Sequence, residues 1–395
     1  MSLRSTRALC LVAAALLSLA PRGAMAATSL ASPAVRAAID AVVAKARAVY
    51  GGRSPVPSVL VGVWNPTGSY VHAYGFADLA THRPLTTADH FRIGSNTKTF
   101  VISVLLQLVD EGYLRLDDPL SKFSLGVRIP NGRHITVREV CQMRSGLFEA
   151  YNTPQVNALD REGKLTPDAV FHARELVRWA VHQKPLFAPG TSYNYSNTNY
   201  LILGLLIESI THDTVAHEIG KRLIGRFGLR QTSYPATQAM PDPWAHGYGL
   251  DKNKNWEDVS GTIPVSLMGA AGEMISDMHD MVRWVRLIVT GKTSAPATQR
   301  ERLACVYTGD GNLYFGLGIG CSAGYYGYTG GLPGYNTANY YMPSTDTTIL
   351  AWVPVQNDKP FPGAANAIFS NIARIVTPAH VPFVKTRPST GRSGL

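Results

Sequence analysis

Apolar residues recur along this chain first at helical and then at strand spacing, and the changes of spacing mark out its elements. Ser32-Pro33 opens an amphipathic run that stops at Gly51-Gly52, with a capping serine, a first-turn proline and a terminal glycine pair. Ser58 to Trp64 and Ser69 to Gly75 are rich in Val, Tyr and Leu around Asn65-Pro66-Thr67-Gly68, which predicts a hairpin. Phe100, Val101, Val104, Leu105 and Leu108 then repeat at helical spacing until Gly112. Further helices are predicted after the capping box at Thr136-Val137-Arg138-Glu139, from Thr166-Pro167-Asp168 to about Val181, over Tyr200 to Ile210, and over His212 to Gly228. The 200–210 run is apolar nearly all round and is therefore read as buried. Turn-rich sequence from Pro241 to Asn255 closes this region. A helix near Ser276 to Val289 follows, then β-like runs at Leu303 to Thr308, Leu313 to Ile319, Thr337 to Tyr341 and Thr348 to Val353, and a last helix over about Ala364 to Ile375.

The strands before residue 95 and those after 300 have no partners near them in the chain. One antiparallel sheet built from both chain ends and flanked by helices is the simplest arrangement, with the mainly helical stretch of about 113–260 inserted beside it. The predicted class is α+β, since no βαβ units repeat. Three segments follow: an export signal over 1–26, a domain over about 33–376, and a basic Pro/Ser/Gly-rich tail over 377–395.

Composition refines this picture. Arg4 and Arg7 precede the apolar run Ala8 to Ala20, and Ala24-Met25-Ala26 offers a small-x-small cleavage site. That run is too short for a permanent span, so the chain is expected to be exported, to the envelope, periplasm or medium, with no transmembrane anchor after cleavage. The formal charge of +10 is concentrated at the ends, because Arg4, Arg7 and Arg22 sit in the signal and Lys385, Arg387 and Arg392 in the tail. No basic face interleaved with aromatics remains, which argues against a nucleic-acid partner. The 11 histidines lack ligand spacing and the cysteines are scattered, so neither a metal site nor any other cofactor is expected. Of Cys141, Cys305 and Cys321, the last two flank a predicted turn at Gly309-Asp310-Gly311-Asn312. A bridge between them is one open pairing in an oxidising compartment, with Cys141 left as a buried thiol.

Candidate chemistry begins at Gly94-Ser95-Asn96-Thr97-Lys98, where a hydroxyl and an amine three residues apart meet the start of an apolar helix. Residues so spaced share a face, and a desolvated lysine can take a serine's proton. A capping serine beside a solvated lysine fits the same residues. Tyr193-Asn194-Tyr195-Ser196-Asn197 lies in a loop before the buried 200–210 helix, and Tyr328-Thr329-Gly330-Gly331 at a strand edge. Each of these alone reads equally as a loop tyrosine with a helix cap, or as a turn.

Taken in order, Ser95-x-x-Lys98, Tyr195-x-Asn197 and Tyr328-Thr329-Gly330 resemble the motifs of the penicillin-recognising serine hydrolases. That group holds the class C β-lactamases, the secreted D-alanyl-D-alanine carboxypeptidases and related esterases. Arg144-Ser145-Gly146-Leu147 and Ala270-Ala271-Gly272 support the resemblance, which spans about residues 33–376. It implies a cofactor-free hydrolase working through an acyl-enzyme on a small-molecule or peptidoglycan-peptide substrate. Ser95 would be the nucleophile, and Lys98 with Tyr195 the proton-transfer pair, the tyrosine serving as a base only where a nearby cation such as Lys98 holds it as a phenolate. Asn197 and Thr329 would bind substrate, Gly330 would let it lie against the strand, and the N–H groups of Ser95 and Gly331 would hold the oxyanion. Tyr328 is a departure, because the carboxypeptidases and β-lactamases carry Lys or His there. No Lys, Arg or His occurs between Arg302 and Lys359. The carboxypeptidase-like, penicillin-binding reading therefore stands beside an esterase reading, and beside a non-catalytic envelope-binding module on the same scaffold.

Overall fold

The structure, a computed structural model, describes residues 28–50, 55–355 and 363–384. The predicted export signal lies outside them, as does most of the tail. The organising element is a nine-stranded antiparallel sheet, whose strands are numbered here in chain order. They are β1 (Ser58–Asn65), β2 (Gly68–Asp78), β3 (Arg83–Pro84), β4 (Val306–Tyr307), β5 (Tyr314–Phe315), β6 (Gly320–Ser322), β7 (Tyr325–Leu332), β8 (Tyr335–Met342) and β9 (Thr347–Val353). Their order across the sheet is β3-β2-β1-β9-β8-β7-β6-β5-β4. The two chain ends meet where β1 pairs with β9, for example Val61 opposite Ala351.

Alternation along the strands divides the core. Val59, Val61 and Val63 face the terminal helices Pro33–Tyr50 and Ala364–Val376, while Leu60 between them faces the other layer. That second layer holds helices Thr97–Asp110, Asn197–Thr211 and Met278–Val289. Strands β8 and β9 are buried on both faces; β9 reads as a largely apolar run, whereas in β8 the buried Asn336, Thr337 and Asn339 are held by hydrogen bonds to Ala365, Asn96 and Trp352. Among the described residues no helix is long and apolar enough to cross a membrane.

Several boundaries differ from those expected. The helix placed at Thr166–Val181 begins only at Ala173, because Ser266 Oγ accepts the Phe171 N–H (3.0 Å) and donates to the Ala169 carbonyl (3.3 Å). His212 to Gly228 is not one α-helix: His212 turns left-handed (φ +56°), Val215–Ile219 forms a short α-helix, and Gly220–Gly225 widens into a π-turn between two poor helix formers. The run at Leu303–Thr308 joins the end of an unforeseen helix, Pro296–Leu303, to the two residues of β4. Beyond Tyr314–Phe315 the run to Ile319 leaves the ladder at Gly318 (φ +63°) and buries Leu317 and Ile319. The helical region also ends sooner than residue 260. Trp244 bridges to His90 and Tyr248 to Val355, which returns the small hairpin 248–258 to the sheet.

Candidate active site

Ser95 occupies a 3₁₀ turn, Gly94–Asn96, that runs straight into the Thr97–Asp110 helix. The turn is wedged against the sheet. Gly94 has φ +53°, and a Cβ there would lie 2.8 Å from the Gly331 nitrogen. A Cβ on Gly330 would lie 2.0 Å from the Ile93 carbonyl oxygen, so only glycine lets β7 approach the serine this closely. Asn96 Nδ2 donates to Thr337 Oγ1 on β8 (3.0 Å), and Ile93 N–H donates to the Met274 carbonyl (3.0 Å), fixing the turn from both sides.

Three groups converge around Ser95. Lys98 Nζ lies 2.8 Å from Ser95 Oγ, 2.7 Å from Asn197 Oδ1 and 2.6 Å from the Ala271 carbonyl oxygen. Tyr195 Oη donates to Ser95 Oγ at 2.8 Å. Lys98 is fully buried, with Nζ 5.0 and 5.4 Å from the ring centroids of Tyr195 and Tyr200. The solvated first-turn lysine is thereby excluded. Burial lowers the Lys98 pKa to about 7, a shift that the Glu149 carboxylate partly opposes. Burial raises the Tyr195 phenol to about 12, against the lowering pull of Ser95 and Tyr328. That direction favours the protonated phenol at Tyr195. Tyr195 as a residue is 39 % exposed, and its hydroxyl contacts the serine oxygen.

The tetrahedral nitrogen of Lys98 fixes what it can do to Ser95 in each protonation state. Asn197 Oδ1 and the Ala271 oxygen can only accept, so they take two N–H groups, and the third direction faces Ser95 Oγ. In the neutral amine that direction carries the lone pair. Lys98 is then placed to remove the serine proton, and Tyr195 to donate one.

Asn197 is the first residue of its helix, but its side chain does not cap it. Glu149 holds the residue instead, accepting the Asn197 backbone N–H at 2.5 Å and its Nδ2 at 3.1 Å, which aims Oδ1 at Lys98. Glu149 escaped the sequence reading. Its one local signal is a weak one, an acceptor for the Tyr151 N–H (3.3 Å) at the head of a short 3₁₀ turn. The 143–150 and 190–199 segments lock together through Ser145 Oγ to Asn199 Oδ1 (2.5 Å), Thr198 Oγ1 to the Phe148 carbonyl (2.6 Å) and Asn194 N–H to the Met143 carbonyl (3.1 Å).

Strand β7 borders the cleft. Its pairing with β6 ends at Gly327, so from Tyr328 onward that edge is free to face the site. Thr329 and Gly331 line the same cleft of about 340 Å³ as Ser95, Tyr195 and Asn197, with Tyr151 and Met268 opposite. Tyr328 lies beneath, 4 % exposed, and its hydroxyl has no hydrogen-bond partner. That hydroxyl lies close enough to Tyr195 to affect its pKa, yet closes no well-formed bond with it. Cys305 and Cys321 are bonded (Cα to Cα 6.5 Å), and Cys141 is a buried free thiol. Two carboxylate–histidine groupings, Asp213/His217/Glu218 and Asp277/His279/Asp280, do not line the cleft. Their carboxylates are engaged by Arg222, by Thr232 and by the first turn of the Met278–Val289 helix.

An α+β scaffold that brings serine, lysine and tyrosine together around one hydroxyl defines a serine hydrolase. The model of the Beta-lactamase family matches residues 35–371, and the chain belongs to that family. It is 24 % identical over 300 residues to the penicillin-binding-protein candidate PbpX of Bacillus subtilis (strain 168), covering 75 % of this chain and 70 % of that protein. It is 29 % identical over 252 residues to a D-aminopeptidase of Brucella anthropi, covering 62 % of this chain and 46 % of that longer protein. Among solved structures it superposes on a D-stereospecific amidohydrolase from Streptomyces sp. with a TM-score of 0.74 and 29 % identity, over 85 % of this chain and 97 % of the other.

Proposed function

We propose that the chain hydrolyses small amides or esters through an acyl-enzyme on Ser95, with an uncharged leaving group and a D-configured acyl residue. The observation that carries this is the uncharged cleft: among the described residues no Lys, Arg or His lines it, and Lys98, buried beside it, is committed to Ser95, Asn197 and Ala271. A free substrate carboxylate would find no partner there. The preference for D-configured substrates rests on the names of the D-aminopeptidase and the D-stereospecific amidohydrolase.

Neutral Lys98 takes the Ser95 proton as Oγ attacks the carbonyl carbon. The oxyanion is held by the N–H groups of Ser95 and Gly331, each worth about 10²–10³ in rate. Tyr195 protonates the departing nitrogen or oxygen and recovers its proton from the Lys98 ammonium. Water then releases the acyl group. Asn197 orients both Lys98 and substrate, and export to the cell envelope belongs to the same proposal.

A second reading, a D-alanyl-D-alanine carboxypeptidase that binds penicillin, is favoured by the likeness to PbpX over most of both chains. Incubation with D-phenylalanine amide, D-alanyl-D-alanine and benzylpenicillin separates the two. Ser95-dependent release of ammonia without a stable penicillin adduct supports the amidase reading. A long-lived adduct with carboxypeptidase turnover favours the second, and loss of nothing in Ser95→Ala removes both.

A further inference from the structure

Beside the Ser95 cleft, sharing Tyr195 and Thr329 with it, lies a second cavity of about 260 Å³. Its wall is aromatic and apolar: Tyr193, Leu313, Phe315, Tyr328, Tyr340 and Phe383 line it. Tyr193 and Phe315 sit with ring centroids 5.7 Å apart, and Phe315 meets Tyr328 edge-on at 5.7 Å. Among the described residues no Lys, Arg or His borders the cavity, and the charged side chain that does is the carboxylate of Asp310.

The cavity is built rather than incidental. The Cys305–Cys321 bridge ties the start of β4 to β6 across the intervening β5, on the strands that carry the 308–313 loop. Within that loop Asn312 Oδ1 accepts from Ser322 Oγ (2.9 Å) and from the Val384 N–H (2.9 Å), and its Nδ2 donates to the Val381 carbonyl (3.1 Å). The segment after the last helix is thus drawn in as part of the wall. At the junction with the cleft stands Tyr328, 4 % exposed, its hydroxyl unpartnered.

Position decides what enters. Ser95, Asn197 and Gly331 border the cleft and not this cavity, whereas Tyr195 and Thr329 border both. The proton donor to the departing atom is therefore the boundary post between the two. On acylation the Ser95 Oγ–acyl carbon bond forms and the acyl carbon–nitrogen or carbon–oxygen bond breaks. The departing half takes the Tyr195 proton on the cavity side and leaves as a neutral amine or alcohol. We infer that this cavity is the leaving-group subsite, that it accepts an uncharged aromatic or branched aliphatic amine or alcohol, and that it rejects a free carboxylate. Aromatic walls favour a flat apolar group, and Asp310 repels an anion.

The inference rests on the acyl-enzyme reading above, and the test separates the two. D-alanine benzylamide, D-alanine methylamide and D-alanylglycine share an acyl group and have amine leaving groups of similar basicity. We expect kcat/KM for the benzylamide to exceed that for the methylamide about tenfold or more, with D-alanylglycine slowest. Phe315→Ala should shrink the benzylamide-to-methylamide ratio, and Leu313→Lys, on the half-exposed loop, should raise D-alanylglycine turnover relative to the benzylamide. Equal rates for all three amides, or D-alanylglycine fastest, would overturn the subsite while a fluorophosphonate still labels Ser95. Absence of that labelling would take the acyl-enzyme reading down with it.

Discussion

Lys98 carries more of the chemistry than its sequence signal suggested. In the proposed mechanism its three polar contacts and its pKa of about 7 suit it to be the base, with Tyr195 as the acid. The acid limb of the kcat/KM–pH profile should therefore have its midpoint near 7. Because Glu149 raises the Lys98 pKa, Glu149→Gln should move that midpoint to lower pH, and an upward shift would contradict the assignment. Tyr195→Phe should reduce turnover by about 10²–10⁴ without blocking fluorophosphonate labelling of Ser95. Linkage provides an independent check. The folded-state pKa of Lys98 lies below its unfolded value of 10.5, so the unfolded chain binds more protons between about 7 and 10.5. Wild-type stability relative to Lys98→Met should then fall as pH is lowered across that window, and chemical denaturation at pH 7, 8.5 and 10 measures it. Ser95, Lys98, Tyr195 and Asn197 were legible because their spacing is local to two motifs. Glu149 was not, since it reaches Asn197 from 48 residues away.

The elements that present these residues depend on close backbone approach. A Cβ on Gly330 would collide with the Ile93 carbonyl at 2.0 Å and with Thr337 Oγ1 at 2.5 Å, so β7 would have to move off the Ser95 turn. Gly330→Ala is expected to cost about 1–3 kcal/mol of stability and to lower kcat/KM by about 10² or more, as melting curves and kinetics would record. The bridge from Cys305 to Cys321 closes a loop of 16 residues and should contribute about 3 kcal/mol by restricting the unfolded chain. Thiol titration of the denatured, unreduced protein lacking residues 1–26 should find one thiol, Cys141, and finding three would contradict the pairing. Long apolar elements such as Asn197–Thr211 and Met278–Val289 could be read from periodicity. Short ones could be read only in part: the turn at 309–312 does join β4 to β5, but their two-residue extents could not be read, nor could the Ala173 helix start, which is set by Ser266, distant in the chain from residues 169–171.

For the molecule as a whole, strands lacking local partners pointed correctly to one sheet closed between the two chain ends, as β1 against β9 shows. Less could be read of where the helical region returns to the sheet, because Trp244 and Tyr248 are held by bridges to His90 and Val355 rather than by any turn signal of their own. The site lies where the Ser95 turn, the Tyr195 loop and the free edge of β7 converge, and among the described residues no charged side chain lines its cleft, Lys98 and Glu149 standing just outside the lining. Everything proposed for this arrangement turns on a covalent acyl-Ser95. Rapid acid quenching of the protein during turnover of a p-nitrophenyl ester, followed by intact-mass and peptide mapping, should show one acyl group on the peptide containing Ser95 and none in Ser95→Ala. An acyl group elsewhere, or ester turnover in the alanine variant at the wild-type rate, would contradict it.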